Sequence, residues 1–363
     1  MLTLPIFQMS SGYFAESGIV ENRNLAPQPQ FEQIKSVDQY LKSITTWFND
    51  HYGFRGYLIR FKNQIDFSIF GISSKIHIGN DGWLFYKDIV DEGKHSVDLQ
   101  LKAESDDFIE GIEFIGKTLK EKGITLVVVI PPMKDTIYGE FLPATANRLT
   151  HPSQFDLLES KLNKAKNFIF IDTTSMLKEI SRIRPVFHKT DFHWNDPAAF
   201  EIAREIVTKI DRLEGITDPT WKHNLTIKTE IFSGGEAKFM PLFPSTPAEE
   251  GLFLIKTFKD VPHLYRTQPP LYEFIIEMNP PKSGQLSPVF IYGDSFADGF
   301  IRSGIYTYFK KTYRVRFSDI SINDLLLNLP PDVKYLILEC IETKNDFYTQ
   351  VSKIKNNLKN QSN

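Results

Sequence analysis

The sequence predicts an α/β protein built on a doubly wound, mainly parallel sheet. Nearly continuous apolar segments, typical of strands buried on both faces, alternate with helical segments along most of the chain. The predicted strands are 124–130, 168–171, 289–292, 313–317 and 334–338, and the predicted helices lie near 101–121, 154–165, 196–212, 296–309 and 345–358. Because strands that alternate with helices form a parallel sheet with helices on both faces, we expect one layered domain.

The composition is that of a folded protein without an unusual charge. Of 363 residues, 41% are hydrophobic and 24% are charged. The formal net charge of -3 excludes a strongly basic nucleic-acid-binding protein, so no nucleic-acid partner is expected. The single cysteine, Cys340, cannot form an internal disulfide, and no Cys-rich metal site exists. It lies in an apolar segment, where we expect a small buried side chain.

The N-terminal region is predicted to be an arm, residues 1–30, followed by two helices. Residues 1–9 are uncharged and mostly apolar, but they are too short to span a bilayer and lack the basic start of a signal peptide. They are compatible with the remnant of a signal anchor whose earlier residues are missing. Apolar residues recur every three or four positions in 31–48 and in 57–70, which predicts two amphipathic helices, and Gly53 is expected to end the first.

The remaining segments complete one predicted domain over residues 31–363. A hairpin is expected at 76–86, where a tight Asn80-Asp81-Gly82 turn joins two short strands. Residues 214–286 interrupt the alternation with short β segments, two adjacent glycines and a Pro-rich stretch. We interpret them as a β-rich insertion.

The strongest local signal is an apolar strand that runs into Gly293-Asp294-Ser295 and then into a helix. Ligands of doubly wound sheets bind at the carboxyl ends of strands, and Ser295 lies at one of them. Gly293 allows a sharp turn there, which suits a nucleophile whose own N–H helps to bind an oxyanion. The alternative is that Ser295 only caps the helix.

A serine nucleophile needs a base, and among eight histidines His193 is the best candidate. It lies in a loop before a helix, with Asp196 as the expected N-cap and Pro197 at the first helical position. Asp191 is two residues away, so in an extended loop its carboxylate can orient the imidazole as in a catalytic triad. Two alternatives stay open: a capping and packing loop with Trp194 in the core, or metal ligation by Asp191 and His193 together with Asp294.

The two segments together resemble the SGNH hydrolase-like superfamily and, within it, the alginate O-acetyltransferase family of AlgX and AlgJ type. Gly293-Asp294-Ser295 is similar to the nucleophile block and Asp191-Phe192-His193-Trp194 to the Asp-x-His-Trp block. Further similar segments occur in the same order, from about residue 20 to residue 345: Glu21-Asn22-Arg23, Asn49 to Arg55, Gly79 to Tyr86, Pro131 to Lys134 with Tyr138, and Gly234-Gly235-Glu236. Ser295 follows His193 by 102 residues, which is the permuted order of this family.

The resemblance implies an O-acetyltransferase with Ser295 as nucleophile, His193 as base and Asp191 as the orienting carboxylate. Family members transfer acetyl groups to hydroxyls of exported polysaccharides, so a polysaccharide acceptor, a membrane-bound acetyl donor of MBOAT type and a periplasmic location are expected. The location includes possible anchoring to the inner membrane by a segment that precedes this chain. No cofactor and no metal are expected, and the chain has no Gly-rich phosphate loop.

Other parts of the site are less well defined by the sequence. Lys134, Tyr138 and Arg302 are weak candidates for substrate contact or for a second oxyanion donor, and Trp194 is a further weak candidate for substrate contact. The family tends to carry Glu-Arg near the C-terminal strand, whereas this chain has Glu342-Thr343.

Two other functions are compatible with the same residues. A carbohydrate acetylesterase would use the same triad with water as the acceptor. A noncatalytic polysaccharide-binding or assembly protein would keep the fold without the chemistry.

Overall fold

A computed structural model describes the protein over residues 3–11, 13, 24–30, 36–92, 99–146, 154–216, 226–243, 245–255, 263–266, 274–277, 284–343 and 345–361. Its strands are β1 (Ile76–Ile78), β2 (Leu84–Tyr86), β3 (Thr125–Val129), β4 (Ile169–Ile171), β5 (Thr226–Phe232), β6 (Glu249–Ile255), β7 (His263–Arg266), β8 (Phe274–Glu277), β9 (Val289–Gly293), β10 (Lys311–Arg316) and β11 (Tyr335–Glu339). Its α-helices are α1 (Thr3–Ser11), α2 (Val37–His51), α3 (Arg55–Phe70), α4 (Lys87–Glu92), α5 (Leu99–Glu121), α6 (Lys134–Tyr138), α7 (Gln154–Leu162), α8 (Thr173–Ser181), α9 (Asp196–Glu214), α10 (Gly235–Lys238), α11 (Ala297–Arg302), α12 (Ile322–Leu327) and α13 (Asn345–Gln361). Residues 1–2, 12 and 14–23 of the predicted arm, the predicted helix start at 31–35 and most of the Pro-rich stretch lie outside the described residues.

Seven strands form the central sheet, in the order β4-β3-β11-β9-β10-β8-β7. The first five pair in parallel, and β8 and β7 continue the sheet in antiparallel pairing. All five strands predicted for the sheet are present, and the sheet is mainly parallel. The predicted fold class is therefore confirmed.

An apolar core lies on each face of this sheet. Along β3, Val127 and Val129 belong to one core, which includes residues of α9, whereas Leu126 and Val128 belong to the other, which includes residues of α5 and α13. Successive side chains of a strand point to opposite faces, so a strand that is apolar throughout is buried on both sides. This is the physical basis of the pattern that predicts the fold. The buried Cys340 is part of the second core.

The predicted insertion at 214–286 is only partly separate from the sheet. Strands β5 and β6 pair with each other as an antiparallel ribbon, as expected for a β-rich insertion. Strands β7 and β8, however, extend the central sheet beyond β10. The sequence does not show this, because the pattern of a strand indicates how it is buried but not which strand pairs with it.

The N-terminal helices end and begin differently from the prediction. After α2 ends, Phe54 adopts the left-handed conformation (φ 58°), and the predicted terminator Gly53 does not. Gly53 is instead required for packing, because a Cβ there would overlap the backbone of Pro5 in α1.

Within the described residues, no helix combines the length and apolar character needed to cross a membrane.

The helix predicted at 296–309 is shorter than expected. Helix α11 ends at Arg302, Gly304 adopts a left-handed conformation (φ 83°), and a 3-10 turn follows at Ile305–Tyr308. Helix α8 is absent from the prediction, and Asp172 caps it by accepting a hydrogen bond from the amide of Ser175 at 2.9 Å. Both differences arise at turns, where one residue decides whether a helix continues.

Candidate active site

The predicted nucleophile lies at the carboxyl edge of the parallel sheet. Strand β9 is flanked by β10 and β11 in parallel pairing, and Ser295 follows its last residue, Gly293, after a single residue. Phe296 caps α11, so Ser295 lies before the helix. Its hydroxyl points to His193 instead of capping, which removes the capping alternative.

Ser295, His193 and Asp191 form a continuous hydrogen-bonded line. The hydroxyl of Ser295 lies 2.8 Å from Nε2 of His193. Nδ1 of the same ring lies 2.7 Å from Oδ1 of Asp191. In the tautomer that fits both contacts, Nδ1 donates to the carboxylate and Nε2 accepts the serine proton. The structure thus brings together all three residues of the predicted triad.

The Asp191 carboxylate is bound on both oxygens. Oδ1 accepts hydrogen bonds from the backbone amide and the ring of His193, and Oδ2 accepts one from the amide of Gly235 at 2.6 Å. Burial alone raises the pKa of Asp191, but its contacts with His193 and Gly235 outweigh that effect and hold the pKa well below its usual range. The group therefore stays ionised, as an orienting carboxylate must.

Aromatic contacts fix the His193 ring and the loop around it. The ring lies between Phe192 and Phe296, with centroid distances of 4.1 and 5.0 Å. The next residue, Trp194, is fully buried, and its indole N–H donates to the carbonyl of Phe296 at 3.1 Å. Trp194 therefore ties the histidine loop to the serine turn. It is a core residue, and its full burial does not favour the candidate role in substrate contact.

Helix α9 begins directly after this loop. Asn195, not Asp196, is its N-cap, because Oδ1 of Asn195 accepts a hydrogen bond from the amide of Ala198 at 3.0 Å. Asp196 forms an ion pair with Arg302. The prediction of the capping residue is therefore wrong by one position, because Asn and Asp are equally good N-caps and the sequence alone does not choose between neighbours.

The serine turn is held by side chains from the two strands that flank β9. The buried guanidinium of Arg314, in β10, donates to the carbonyls of Gly293 at 3.2 Å and Asp294 at 2.6 Å. Glu339, in β11, accepts from the amide of Asp294 at 3.0 Å. A Cβ at Gly293 would lie 2.5 Å from Oε2 of Glu339, so only glycine fits there. Burial raises the pKa of Glu339 well above its usual range, and the nearby Asp294 adds to that rise.

The Asp294 carboxylate completes the turn. Oδ1 accepts from the amide of Phe296 at 2.7 Å, and Oδ2 accepts from the amide of Ile341 at 3.1 Å. In the described part of the chain, the Ser295 amide makes no such bond, and it is a candidate oxyanion donor. The Asp294 contacts do not favour the metal alternative, and no group of three or more potential metal ligands occurs among the residues that the structure describes.

The other predicted contact residues have structural partners. Lys134 is buried and forms an ion pair with buried Glu236. The hydroxyl of buried Tyr138 accepts from the amide of Val186 at 3.0 Å. Arg302 is about half exposed but is paired with Asp196. Neither Lys134 nor Tyr138 is accessible to substrate. The sequence could not show this, because a charged or hydroxyl side chain that follows a strand can point outward or into the core.

Sequence reasoning missed Arg314 and Glu339. Arg314 lies within β10 and Glu339 is the last residue of the otherwise apolar β11, and both are fully buried. A buried charge requires a polar partner. A charged residue in or at the end of a strand of the buried sheet was therefore the available signal, and the order of neighbouring strands would have been needed to connect it to Ser295.

The chain is similar in sequence to known proteins. Residues 76–250 match the family described as SGNH hydrolase-like domain, acetyltransferase AlgX. The chain is 27% identical over 186 residues to a probable alginate O-acetylase AlgJ of Pseudomonas putida, with 50% of this chain and 46% of that protein covered. A protein of the same description from Pseudomonas fluorescens is 22% identical over 213 residues, which cover 57% of this chain and 52% of the relative. The chain thus spans about half the length of these curated relatives.

Solved structures share the fold. The O-acetyltransferase domain of Pseudomonas putida AlgJ aligns with a TM-score of 0.51 and 16% identity, covering 78% of this chain and 99% of that domain. Bacillus cereus PatB1, solved with a sulfonyl adduct, aligns with a TM-score of 0.55 and 16% identity, covering 76% of this chain and 96% of that one. Over residues 76–250 the chain is thus similar to the SGNH hydrolase-like AlgX acetyltransferase family, over about half its length it is similar to proteins described as probable alginate O-acetylase AlgJ, and it shares its fold with the solved structures.

Proposed function

We propose that the protein is a serine-dependent O-acetyltransferase that transfers acetyl groups to hydroxyls of an exported, alginate-like polysaccharide. The observation that carries this proposal is the unbroken line from the Ser295 hydroxyl through the His193 ring to the Asp191 carboxylate, with distances of 2.8 and 2.7 Å. Similarity to proteins named alginate O-acetylase supports the acetyl group and the polysaccharide acceptor.

In the first half-reaction, the Ser295 hydroxyl attacks the carbonyl carbon of an acetyl donor. His193 Nε2 takes the hydroxyl proton as the new C–O bond forms, and the Asp191 carboxylate stabilises the imidazolium. The amide of Ser295 is positioned next to the nucleophile to donate to the carbonyl oxygen as it becomes negative. Collapse of the tetrahedral intermediate breaks the bond to the leaving group, which receives the proton from His193. The product is acetyl-Ser295.

In the second half-reaction, a sugar hydroxyl replaces the donor. His193 removes the proton of that hydroxyl as its oxygen attacks the acetyl carbon, and the bond to Ser295 then breaks. The proton returns from His193 to the serine oxygen. The same residues thus act in both halves, and the enzyme ends in its starting state. Water in place of the sugar gives acetate, which is the esterase reaction.

The proposal also includes the domain organisation, the location of the enzyme and the source of the acetyl group. Residues 31–363 form the catalytic domain with its insertion, and residues 1–30 form the arm. The enzyme works outside the cytoplasm, in the periplasm, and a segment preceding this chain anchors it to the inner membrane. A membrane-bound protein of MBOAT type supplies the acetyl group. Deletion of that donor protein in cells should abolish polysaccharide acetylation while leaving reaction with a soluble ester in vitro unchanged.

The test is acyl-enzyme trapping with p-nitrophenyl acetate. Intact mass should show one added acetyl group on the wild-type protein and none on Ser295→Ala, and nitrophenol release should fall by at least about 10⁴-fold in the variant. Ser303→Ala is the matched control, because its hydroxyl lies just after α11 and bonds only to the Phe300 carbonyl. It should behave like wild type. Equal labelling of wild type and Ser295→Ala would refute the nucleophile and favour a noncatalytic binding protein.

A further inference from the structure

A fully buried ion pair lies directly behind the triad carboxylate. The side chains of Lys134 and Glu236 are 2% and 1% exposed, and Nζ of Lys134 contacts Oε2 of Glu236. Lys134 is the first residue of α6, in the segment that follows β3, whereas Glu236 lies in α10, about one hundred residues later. The pair therefore joins the segment after β3 to a short helix that lies between β5 and β6 of the insertion.

Both partners of the ion pair also lie next to groups that bind Asp191 or bind it directly. Nζ of Lys134 donates to the backbone carbonyl of Asp191 at 3.0 Å and to that of Lys189 at 3.2 Å. Glu236 follows Gly235, whose amide donates to Oδ2 of Asp191 at 2.6 Å. The backbone and the carboxylate of Asp191 are thus held from opposite ends of one ion pair.

The remaining contacts of the pair fix Glu236 itself. Its Oε1 accepts from the amide of Tyr86 at 2.7 Å, at the end of the hairpin strand β2. The hairpin also binds the loop directly, since the amide of Leu84 donates to the carbonyl of Lys189 at 2.9 Å. Three distant parts of the sequence, the hairpin, the end of β3 and α10, therefore converge on the loop that carries Asp191.

Stability alone gives a weak reason for such a pair. Removing two charges from water costs several kcal/mol per ion, and well-packed apolar residues often replace a buried ion pair without loss of stability. What an apolar pair cannot supply is a donor for the Asp191 carbonyl. Lys134 binds the backbone carbonyl of Asp191, and Glu236 follows the glycine whose amide binds the Asp191 carboxylate. This geometry can fix the orientation of Asp191.

We propose that Lys134 and Glu236 are positioning residues that set the orientation of Asp191 and, through it, of the His193 ring. Neither side chain touches the reacting atoms. They act by holding the loop so that Oδ1 of Asp191 meets Nδ1 of His193. This inference rests on the proposed function for its effect on rate, but its structural part does not.

The test uses a variant that removes both charges together. Lys134→Met/Glu236→Leu avoids leaving one buried charge unpaired. It should still fold, but with a lower melting temperature than wild type, because the Asp191 and Lys189 carbonyls and the Tyr86 amide lose these partners. Acylation by p-nitrophenyl acetate should fall about 10- to 100-fold, the usual cost of a misplaced catalytic group. Arg184→Met/Glu201→Leu is the control, because in the part of the chain that the structure describes this part-buried pair does not contact Asp191 or His193. It should acylate like wild type.

A second measurement does not depend on activity. The His193 Nδ1 proton, hydrogen-bonded to a carboxylate, should give a low-field proton NMR resonance that is absent from Asp191→Asn. We expect this resonance to shift upfield or broaden in the double variant and to stay unchanged in the control. If the double variant does not fold, Glu236→Gln, which keeps the side-chain shape, takes its place. It should show the same change of the resonance to a smaller degree.

The possible failures are distinguishable. A wild-type protein with the low-field resonance but without Ser295-dependent acylation would contradict the proposed function and leave the positioning role to be decided by NMR. A folded double variant with the wild-type resonance and wild-type acylation would overturn the positioning role. A fall in rate that follows only the melting temperature, with the resonance intact in the folded fraction, would also overturn it.

Discussion

The two halves of the candidate active site are held in different ways. Ser295 follows a central strand, and its turn is fixed by Arg314 and Glu339 on the two flanking strands of the same sheet. Asp191 and His193 lie in a loop that depends on residues from the hairpin, from the end of β3 and from the insertion. The nucleophile is thus part of the sheet, whereas the base is assembled from distant segments. Substitutions around Ser295 and substitutions around the Asp191–His193 loop should therefore have different effects.

The largest expected effect is the loss of the base. His193→Ala leaves the serine turn and its strand contacts intact, because within the described ranges the ring contacts Ser295, Asp191 and two aromatic neighbours. Acylation by p-nitrophenyl acetate should fall by about 10⁴-fold or more, since an unactivated serine is a weak nucleophile. The melting temperature should change little. A variant that acylates at the wild-type rate would show that another group accepts the serine proton.

Two glycine substitutions compare the sides directly. An added Cβ at Gly293 would lie 2.5 Å from Oε2 and 2.9 Å from the carbonyl oxygen of Glu339, and one at Gly234 would overlap the backbone of Thr190 and the Cβ of Asp191. Both Ala variants should lose about 1–3 kcal/mol of unfolding free energy from overpacking.

The difference lies in what rescues them. Glu339→Ala should relieve Gly293→Ala in part, because it removes the nearest clashing atom, Oε2, whereas the Cβ and the carbonyl oxygen of residue 339 stay 2.9 Å from the added Cβ. Gly234→Ala should resist rescue by any side-chain change, because it meets backbone atoms, and should lose the low-field His193 resonance. Chemical denaturation and NMR of the three variants measure both effects. Identical behaviour of the two glycine variants would remove the distinction between the sides.

A half-buried carboxyl just after β11 predicts a pH dependence of stability. Glu342 accepts from the amide of Met133 and from the hydroxyl of Thr136, and burial raises its pKa to about 8. A carboxyl whose folded pKa is raised binds more protons in the folded state, so stability falls as pH rises from the unfolded value of about 4.3 toward 8. The slope for one group is at most about 1.4 kcal/mol per pH unit.

Glu342→Gln should remove this contribution. The free energy of unfolding of wild type relative to the variant should decline between pH 5 and about pH 8 and level off above it. Urea denaturation at several pH values measures the difference, which cancels the other titrating groups. Parallel curves for the two proteins would show that the Glu342 carboxyl is not perturbed.

The smallest expected effect is at Tyr138, which the sequence suggested as a substrate contact. Its hydroxyl accepts from the buried amide of Val186. Tyr138→Phe leaves that amide without a partner, so the unfolding free energy should fall by about 1–3 kcal/mol. The Michaelis constant for acyl donor and sugar acceptor should not change. A raised Michaelis constant with wild-type stability would restore the role as a substrate contact.

The sequence predicts Ser295 and its turn better than it predicts the loop that carries Asp191 and His193. An apolar strand followed by Gly293 and Ser295 is a local pattern, and its place at a strand end follows from the fold class. The Asp191–His193 pair is also local, so the three triad residues could be named from two short segments. Their meeting could not be derived from either segment, because it depends on the order of strands in the sheet.

What the sequence hides is the support around these residues. Arg314 and Glu339 reach the serine turn only because β10 and β11 flank β9. Lys134 looks like an exposed strand-end lysine until α10 places a carboxylate beside it. Strands β7 and β8 look like part of an insertion until they pair with β10. In each case the missing information is a long-range contact, which leaves no periodic signal in either partner.

The most direct test of the central claim is the fate of the acetyl group. The wild-type protein is supplied with p-nitrophenyl acetate and with oligomers of mannuronic acid at increasing concentration, and nitrophenol, acetate and acetylated sugar are measured together. The proposed transferase should give acetylated sugar in proportion to the acceptor, with acetate falling by the same amount and with no product from Ser295→Ala. Acetate alone at every acceptor concentration, with nitrophenol release independent of the sugar, would contradict the claim and identify an esterase.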